Sequence, residues 1–177
     1  MYNAPELLLL RHAKSDWHGE AKSDFERPLS KRGERDAPRV GRWLHRQGLR
    51  PDFVISSPAT RARQTAREVC KALGIEEKHI HWEARIYDSD TGTLLDILTE
   101  YGQPTEGQRI LLVGHNPELS LLLAYLSGST LGPAPDGKVL PTATLARIRM
   151  PPDWRALQPG SATLLALVRP TAMDLDE

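Results

Sequence analysis

Residues 6–12 read ELLLLRH, an unbroken run of leucines that leads straight into Arg11 and His12. A short apolar stretch with no polar residue at alternate positions describes a strand buried on both faces, as in the middle of a parallel sheet. Polar chemistry begins where that strand ends. In open α/β sheets ligands gather beyond the carboxyl ends of the strands, so Arg11 and His12 mark the edge at which a site is expected.

Working outward, strands and helices alternate. Ser30 is placed to cap a helix that runs to about Gln47, carries Val40, Trp43 and Leu44 on one face, and stops at Gly48. Pro51 to Ser56 reads as the next strand. Pro58 suits the first turn of a second helix, which presents Ala62, Thr65, Ala66, Val69, Cys70 and Leu73 before Gly74 ends it. Ile80 to Trp82 can form a short strand, Thr91 or Thr93 opens a third helix, and Arg109 to Val113 is another apolar strand, followed by a helix from Pro117 to about Leu126. Ala143 to Met150 and Thr163 to Val168 alternate in polarity, as expected of partly exposed or antiparallel strands. Gly and Pro mark Gly128 to Pro141 as a loop, and Thr171 to Glu177 as a frayed tail. The expected fold is α/β: a single-domain three-layer sandwich over residues 1–170, with a mostly parallel central sheet, helices on both faces and no large cap domain. The length of 177 residues suits one such domain.

Composition narrows the function by exclusion. Lys plus Arg and Asp plus Glu number 23 each, with no block of one sign, so overall charge recruits neither nucleic acid nor an anionic membrane. The longest apolar stretch near the N-terminus, Leu7 to Leu10, is far too short for a signal-peptide core or a membrane span, and a cytoplasmic protein is the default expectation. Cys70 is the single cysteine, which rules out an internal disulfide and a cysteine-based metal cluster. Its helical setting suggests an inert buried thiol.

The site must therefore be local. Three strand ends carry unusual residues: Arg11-His12, the turn Ser56-Ser57-Pro58-Ala59-Thr60-Arg61, and Gly114-His115-Asn116-Pro117. Two arginines and two histidines thus meet on one edge, and that set suits a dianionic phosphate. Guanidinium offers a planar fork of donors, while imidazole can attack phosphorus or donate a proton near neutral pH. Each residue alone has an ordinary reading, as a surface loop, a solvated helix charge or a capped core histidine. For Arg63 and Arg67, on the same helix as Arg61, that ordinary reading stands.

These residues resemble the histidine phosphatase superfamily (phosphoglycerate mutase-like), and within it the small phosphohistidine phosphatases of the SixA type. RHAKSDW (Arg11 to Trp17) is similar to the family's Arg-His loop, SDFERPLSKRG (Ser23 to Gly33) to its next block, SSPATRARQTA (Ser56 to Ala66) to its second arginine block, and LVGHNPEL (Leu112 to Leu119) to its second histidine block. Residues 129–177 match less clearly. The resemblance implies that His12 becomes phosphorylated, that Arg11 and Arg61 bind the phosphoryl oxygens, and that His115 contacts the same group and stabilises its transition state, with Ser15 adding a hydroxyl donor. Positive donors would then take the place of a metal, so no cofactor is expected. A neutral His12 needs one ring nitrogen free, with the other N–H held by a backbone carbonyl.

The general acid stays open. Larger members of the superfamily place a Glu after the third strand, and Glu83 and Asp88 lie nearby in unconvincing contexts. Asp24 is the preferred carboxylate, but it could equally pair with Arg27 and fix the loop. Arg27 itself reads as a loop anchor. The expected substrate is a phosphorylated protein, such as a phosphorelay or phosphotransfer protein bearing phosphohistidine. A small-metabolite or sugar phosphate phosphatase or mutase, and a noncatalytic phosphate-binding module, are the alternatives.

Overall fold

A computed structural model describes residues 3–102, 105–128 and 140–174. Its elements are β1 (Glu6–Arg11), α1 (Lys31–Arg46), β2 (Phe53–Ser56), α2 (Thr60–Leu73), β3 (Ile80–Trp82), α3 (Thr91–Tyr101), β4 (Arg109–Gly114), α4 (Glu118–Ser127), β5 (Leu145–Arg149) and β6 (Thr163–Val168). The strands form one sheet in the order β3-β2-β4-β1-β5-β6. The first four are mutually parallel, and β5 runs antiparallel to both β1 and β6. This is the expected α/β sandwich, with the antiparallel pair where the alternating sequence placed it.

The leucine run shows why β1 sits centrally. Leu8 and Leu10 point into the core under α1 and α2, while Leu7 and Leu9 point into the one under α3 and α4. All four are fully buried. Each contributes about 1.5–3 kcal/mol of apolar burial, which no edge position could supply. The Cys70 thiol lies in the α1/α2 core, and burial pushes its pKa up to about 12. Among the described residues no helix is long and apolar enough to cross a membrane.

Several boundaries differ from expectation for local reasons. Asp90, not a threonine, caps α3, its carboxylate accepting from Thr93 N at 2.7 Å. Pro58 precedes α2 rather than forming its first turn, and Ala59 is the cap, without a side-chain bond. Pro38 lies inside α1 without ending it. Of the tail expected to fray, residues 171–174 are docked: Pro170–Ala172 form a 3-10 turn, Met173 is buried, and Asp174 pairs with Arg39 at 2.8 Å. Residues 175–177 lie outside the described residues, as do 129–139 of the expected Gly128 to Pro141 loop.

One contact fixes the top of the sheet. Ser30 caps α1 by accepting from Gly33 N at 3.2 Å, while its own N–H and hydroxyl donate to Lys14 O at 2.8 and 3.1 Å. The first turn of α1 is thereby held against the loop that follows His12. A Cβ on Gly33 would collide with the Lys14 backbone, which cannot move aside as a flexible side chain could. Gly33→Ala is expected to cost about 1–3 kcal/mol in urea unfolding, and a variant as stable as the parent would show that this approach is not tight.

Candidate active site

The carboxyl ends of β1, β2 and β4 bring together the residues singled out in the sequence. His12 leaves β1 with its backbone N–H donating to Gly114 O at 3.0 Å, and its ring centroid lies 5.2 Å from that of His115, just past β4. Both histidines and Arg61 are buried. The His12 Nδ1–H donates to Ala13 O at 2.7 Å, the backbone hold expected for a ring whose Nε2 must stay free. Thr65 supports that loop from α2: its Oγ1 accepts from Ala13 N at 3.0 Å and donates to Arg61 O at 2.7 Å.

His115 is oriented by Ser57. The Ser57 hydroxyl accepts from Ala59 N at 3.2 Å and lies 2.8 Å from His115 Nε2. With the Ser57 hydroxyl donating to Nε2, the imidazole proton sits on Nδ1. That Nδ1 is buried and unpartnered, as are Nε of Arg11, Arg27 and Arg61. Native structures seldom leave buried donors unsatisfied, and several around one imidazole call for an anion.

The Arg11 guanidinium donates to Leu140 O at 3.1 Å, an oxygen that also accepts from Asn116 Nδ2 at 2.9 Å. Arg61 donates to Asp24 O at 2.6 Å and to Asp24 Oδ2 at 3.0 Å. Ser15 is buried and accepts from Arg27, whose guanidinium also stacks on Trp17, 3.5 Å from the ring centroid. Arg27 is thus the anchor of the 15–27 loop.

Both candidate carboxylates are engaged by neighbouring side chains. Asp24 accepts from Tyr87 Oη at 2.7 Å, from Arg27 at 3.0 Å and from Arg61 at 3.0 Å. The Tyr87 hydroxyl above all, with Arg27 and Arg61, holds its pKa well below the usual carboxylate range, outweighing its partial burial. The pairing of Asp24 with Arg27 is what the fold shows, extended to Arg61. Glu83 is likewise occupied, by Arg85 at 2.8 Å and by Tyr101 Oη at 3.1 Å, with its pKa lowered to about 2 chiefly by Arg85. Asp88 is exposed. Tyr87 is the residue that sequence reasoning missed: it bonds Asp24, and its ring packs edge-on against His115 at 5.5 Å and Phe25 at 5.0 Å. A lone tyrosine after a short strand carries no signal of that role. Ser57 was visible only as part of a motif.

Burial first, with the charge interactions of His115, Arg61 and Arg11, puts the His12 pKa well below 6.5, against the opposite pull of the bond to Ala13 O. Burial and Arg61 lower His115 to about 4. Both rings are therefore neutral at pH 7. In the unfolded chain they take up protons near pH 6.5, before the folded ones do, so their stabilising effect is complete above that pH and is lost as pH falls toward 4. The urea midpoint should drop between pH 7 and 5, with a shallower drop in His115→Asn; identical slopes would place the pH sensitivity elsewhere.

The histidine phosphatase superfamily (branch 1) model matches residues 7–101. An uncharacterised chloroplastic protein of Arabidopsis thaliana is 35% identical over 132 residues, 71% of this chain, which spans 60% of that protein's length. An uncharacterised protein of Mycobacterium tuberculosis is 34% identical over 160 residues, covering 88% of this chain and 96% of that protein. A partial match, 40% identical over 78 residues, links 43% of the chain to 30% of a 2,3-bisphosphoglycerate-dependent phosphoglycerate mutase of Thermobifida fusca. Among solved structures, SixA from Agrobacterium tumefaciens superposes with a TM-score of 0.74 at 28% identity, over 93% of this chain and 97% of that one. The sequence blocks, the sheet order and these matches agree, and the chain belongs to the histidine phosphatase superfamily, in its SixA-like form.

Proposed function

We propose that the chain is a phosphatase that transfers a phosphoryl group to His12 Nε2 and then to water, with phosphohistidine on a protein as its substrate. The observation that carries this reading is a neutral, backbone-held His12 ringed by buried donors that lack partners, with both nearby carboxylates engaged by arginines. Arg11, Arg61, His115 Nδ1 and the Ser15 hydroxyl would surround the phosphoryl oxygens and offset charge in the transition state without a metal. Asp24 acts by holding Arg61 in place.

The substrate follows from the leaving group. In the first step the His12 Nε2 lone pair forms a bond to phosphorus and the substrate's P–N bond breaks, its electron pair returning to the substrate imidazole. That ring already carries a proton on its distal nitrogen, so it departs neutral and needs no acid. In the second step water attacks phospho-His12, the P–N pair returns to Nε2, and the water proton goes to the phosphate. His12 again leaves as a neutral ring, its Nδ1–H still on Ala13 O. A phosphoserine would expel an alkoxide, which needs a positioned acid. The absence of a cap among the described residues suits a protein-borne group. The partial match to a phosphoglycerate mutase favours, as a second reading, a small-metabolite phosphatase or mutase.

Turnover on a phosphohistidine protein is expected to exceed that on phosphoserine peptides and sugar phosphates at least about tenfold, with aryl phosphates in between. Asp24→Asn should slow all of them by a similar factor, because it loosens Arg61. Equal rates on phosphohistidine and phosphoserine would defeat the leaving-group argument. A selective loss on alkyl phosphates in Asp24→Asn would restore Asp24 as an acid.

A further inference from the structure

Trp17, two residues beyond the buried Ser15, is 67% exposed. An indole left that open adds little to a core, yet it is held in place: the guanidinium of Arg27 lies over its ring, 3.5 Å from the centroid. The loop that carries it is closed without it. Asp16 N–H donates to Pro28 O at 2.8 Å, and Ser15 forms an antiparallel bridge with Leu29. Neither the core nor the loop closure accounts for the ring.

Arg27 links that ring to the His12 pocket. One terminal nitrogen donates to the Ser15 hydroxyl and the other to Asp24 Oδ1, at 3.0 Å. Guanidinium N–H groups lie in the plane of the group, so these two bonds fix its position in the plane and resist tilting poorly. The indole stacked on its face supplies that restraint. It also keeps water away. The Arg27 side chain is only 10% exposed although its partner Asp24 is 53% exposed, and water at the open face would compete for both bonds. Behind burial, Arg61 and Arg11, the Arg27 charge also helps to lower the His115 pKa, so its field reaches the pocket.

Ser15 is the pocket residue on which Arg27 acts most directly. A hydroxyl can accept through its oxygen and donate its one proton. Arg27 supplies the donor, and among the described residues no protein group accepts the proton. The Ser15 O–H is thus left for a phosphoryl oxygen. Asp24 depends on Arg27 less, because Tyr87 and Arg61 hold it as well.

We propose that Trp17 is a positioning residue: by stacking on Arg27 it fixes the guanidinium that holds the Ser15 oxygen, and so aims the Ser15 O–H at the phosphoryl group on its way to His12. This rests on phosphoryl transfer at His12 and not on the phosphohistidine reading. Trp17 touches neither substrate nor reacting atom. It acts on the phosphoryl group common to all substrates, whatever the leaving group.

The test is a double-substitution cycle between Trp17 and Ser15, read as kcat/KM on p-nitrophenyl phosphate and on phosphoramidate, and as orthovanadate affinity by calorimetry. Ser15→Ala should lower all three by about 10–100-fold, the loss of one hydrogen bond to a charged group. Trp17→Ala should lower them by about tenfold, equally for both substrates, while Trp17→Phe, which keeps an aromatic face for Arg27, should stay within about threefold of the parent and Trp17→Leu should not. In the Ser15→Ala background, Trp17→Ala should add less than about twofold, because the group it aims is gone. A full additional loss in that background, a Leu variant as active as the Phe variant, or a loss confined to one substrate would overturn the proposal and make Trp17 a contact for the rest of the substrate. Wild-type protein that hydrolyses neither compound would count against the proposed function, and the cycle is then decided by vanadate affinity alone; wild type that binds no vanadate would sink both.

Discussion

His12→Ala is expected to lower turnover on every phosphorylated substrate by at least about 10⁴-fold, with EDTA present throughout. The His12 imidazole lies among the unpartnered donors with an Nε2 that is neutral and free. His12 Nδ1 is committed to Ala13 O, and burial beside His115, Arg61 and Arg11 keeps the proton off Nε2. No neighbour can substitute, because Nε2 of His115 is engaged by Ser57 at 2.8 Å. Acid-free quenching of the wild type during turnover should trap a phosphoryl adduct that maps to His12, is stable in base and is lost in acid. The variant should retain phosphate or vanadate binding, since Arg11, Arg61 and His115 remain. An adduct on another residue, or activity in His12→Ala near that of the parent, would remove His12 from the mechanism. Activity lost in EDTA and restored by a divalent ion would show that a metal supplies what the arginines were assigned.

Much of this site was legible because its residues follow strands whose hydrophobic pattern is unambiguous. The runs Leu7 to Leu10 and Ile110 to Val113 could only be buried strands, so Arg11, His12 and His115 had to emerge on one edge. Arg61 followed from the short link between β2 and α2. Residues that act across the chain were not legible. Tyr87 reaches Asp24 over 63 positions and Leu140 O meets Arg11 over 129, contacts that exist only once the sheet is assembled. The surroundings of Asp24 were hidden for the same reason: one partner, Arg27, is three residues away, but the Tyr87 hydroxyl and Arg61 come from other elements. The docking of residues 171–174 escaped notice because a polar tail with one methionine looks frayed until Met173 is seen filling the α1/α2 core.

Arg61→Ala should lower kcat/KM by about 10²–10³-fold, the cost of losing one preorganised donor to a transferring group. Arg61 is not loose: two of its nitrogens are spent on Asp24, at 2.6 and 3.0 Å, and only Nε is buried and unpartnered. Asp24 thus fixes the plane of the guanidinium, and Tyr87 fixes Asp24. Lysine, a point charge without that fork, should recover little of the loss. Tyr87→Phe keeps the ring against His115 but drops the hydroxyl, so it should produce a milder decrease, on the order of tenfold, that appears mainly in KM. A second readout separates a catalytic arginine from one that merely latches the loop. Arg61 is the largest electrostatic cause, after burial, of the His115 pKa near 4. Removing it should raise that pKa toward 6.5, visible as a shift in the NMR titration of the His115 ring, whereas Arg27→Ala, farther down the order of causes, should move it less. Full activity in Arg61→Ala with an altered unfolding midpoint would leave Arg61 as the clamp of the Asp24 loop alone. An unmoved His115 titration would mean that its field does not reach the phosphoryl pocket.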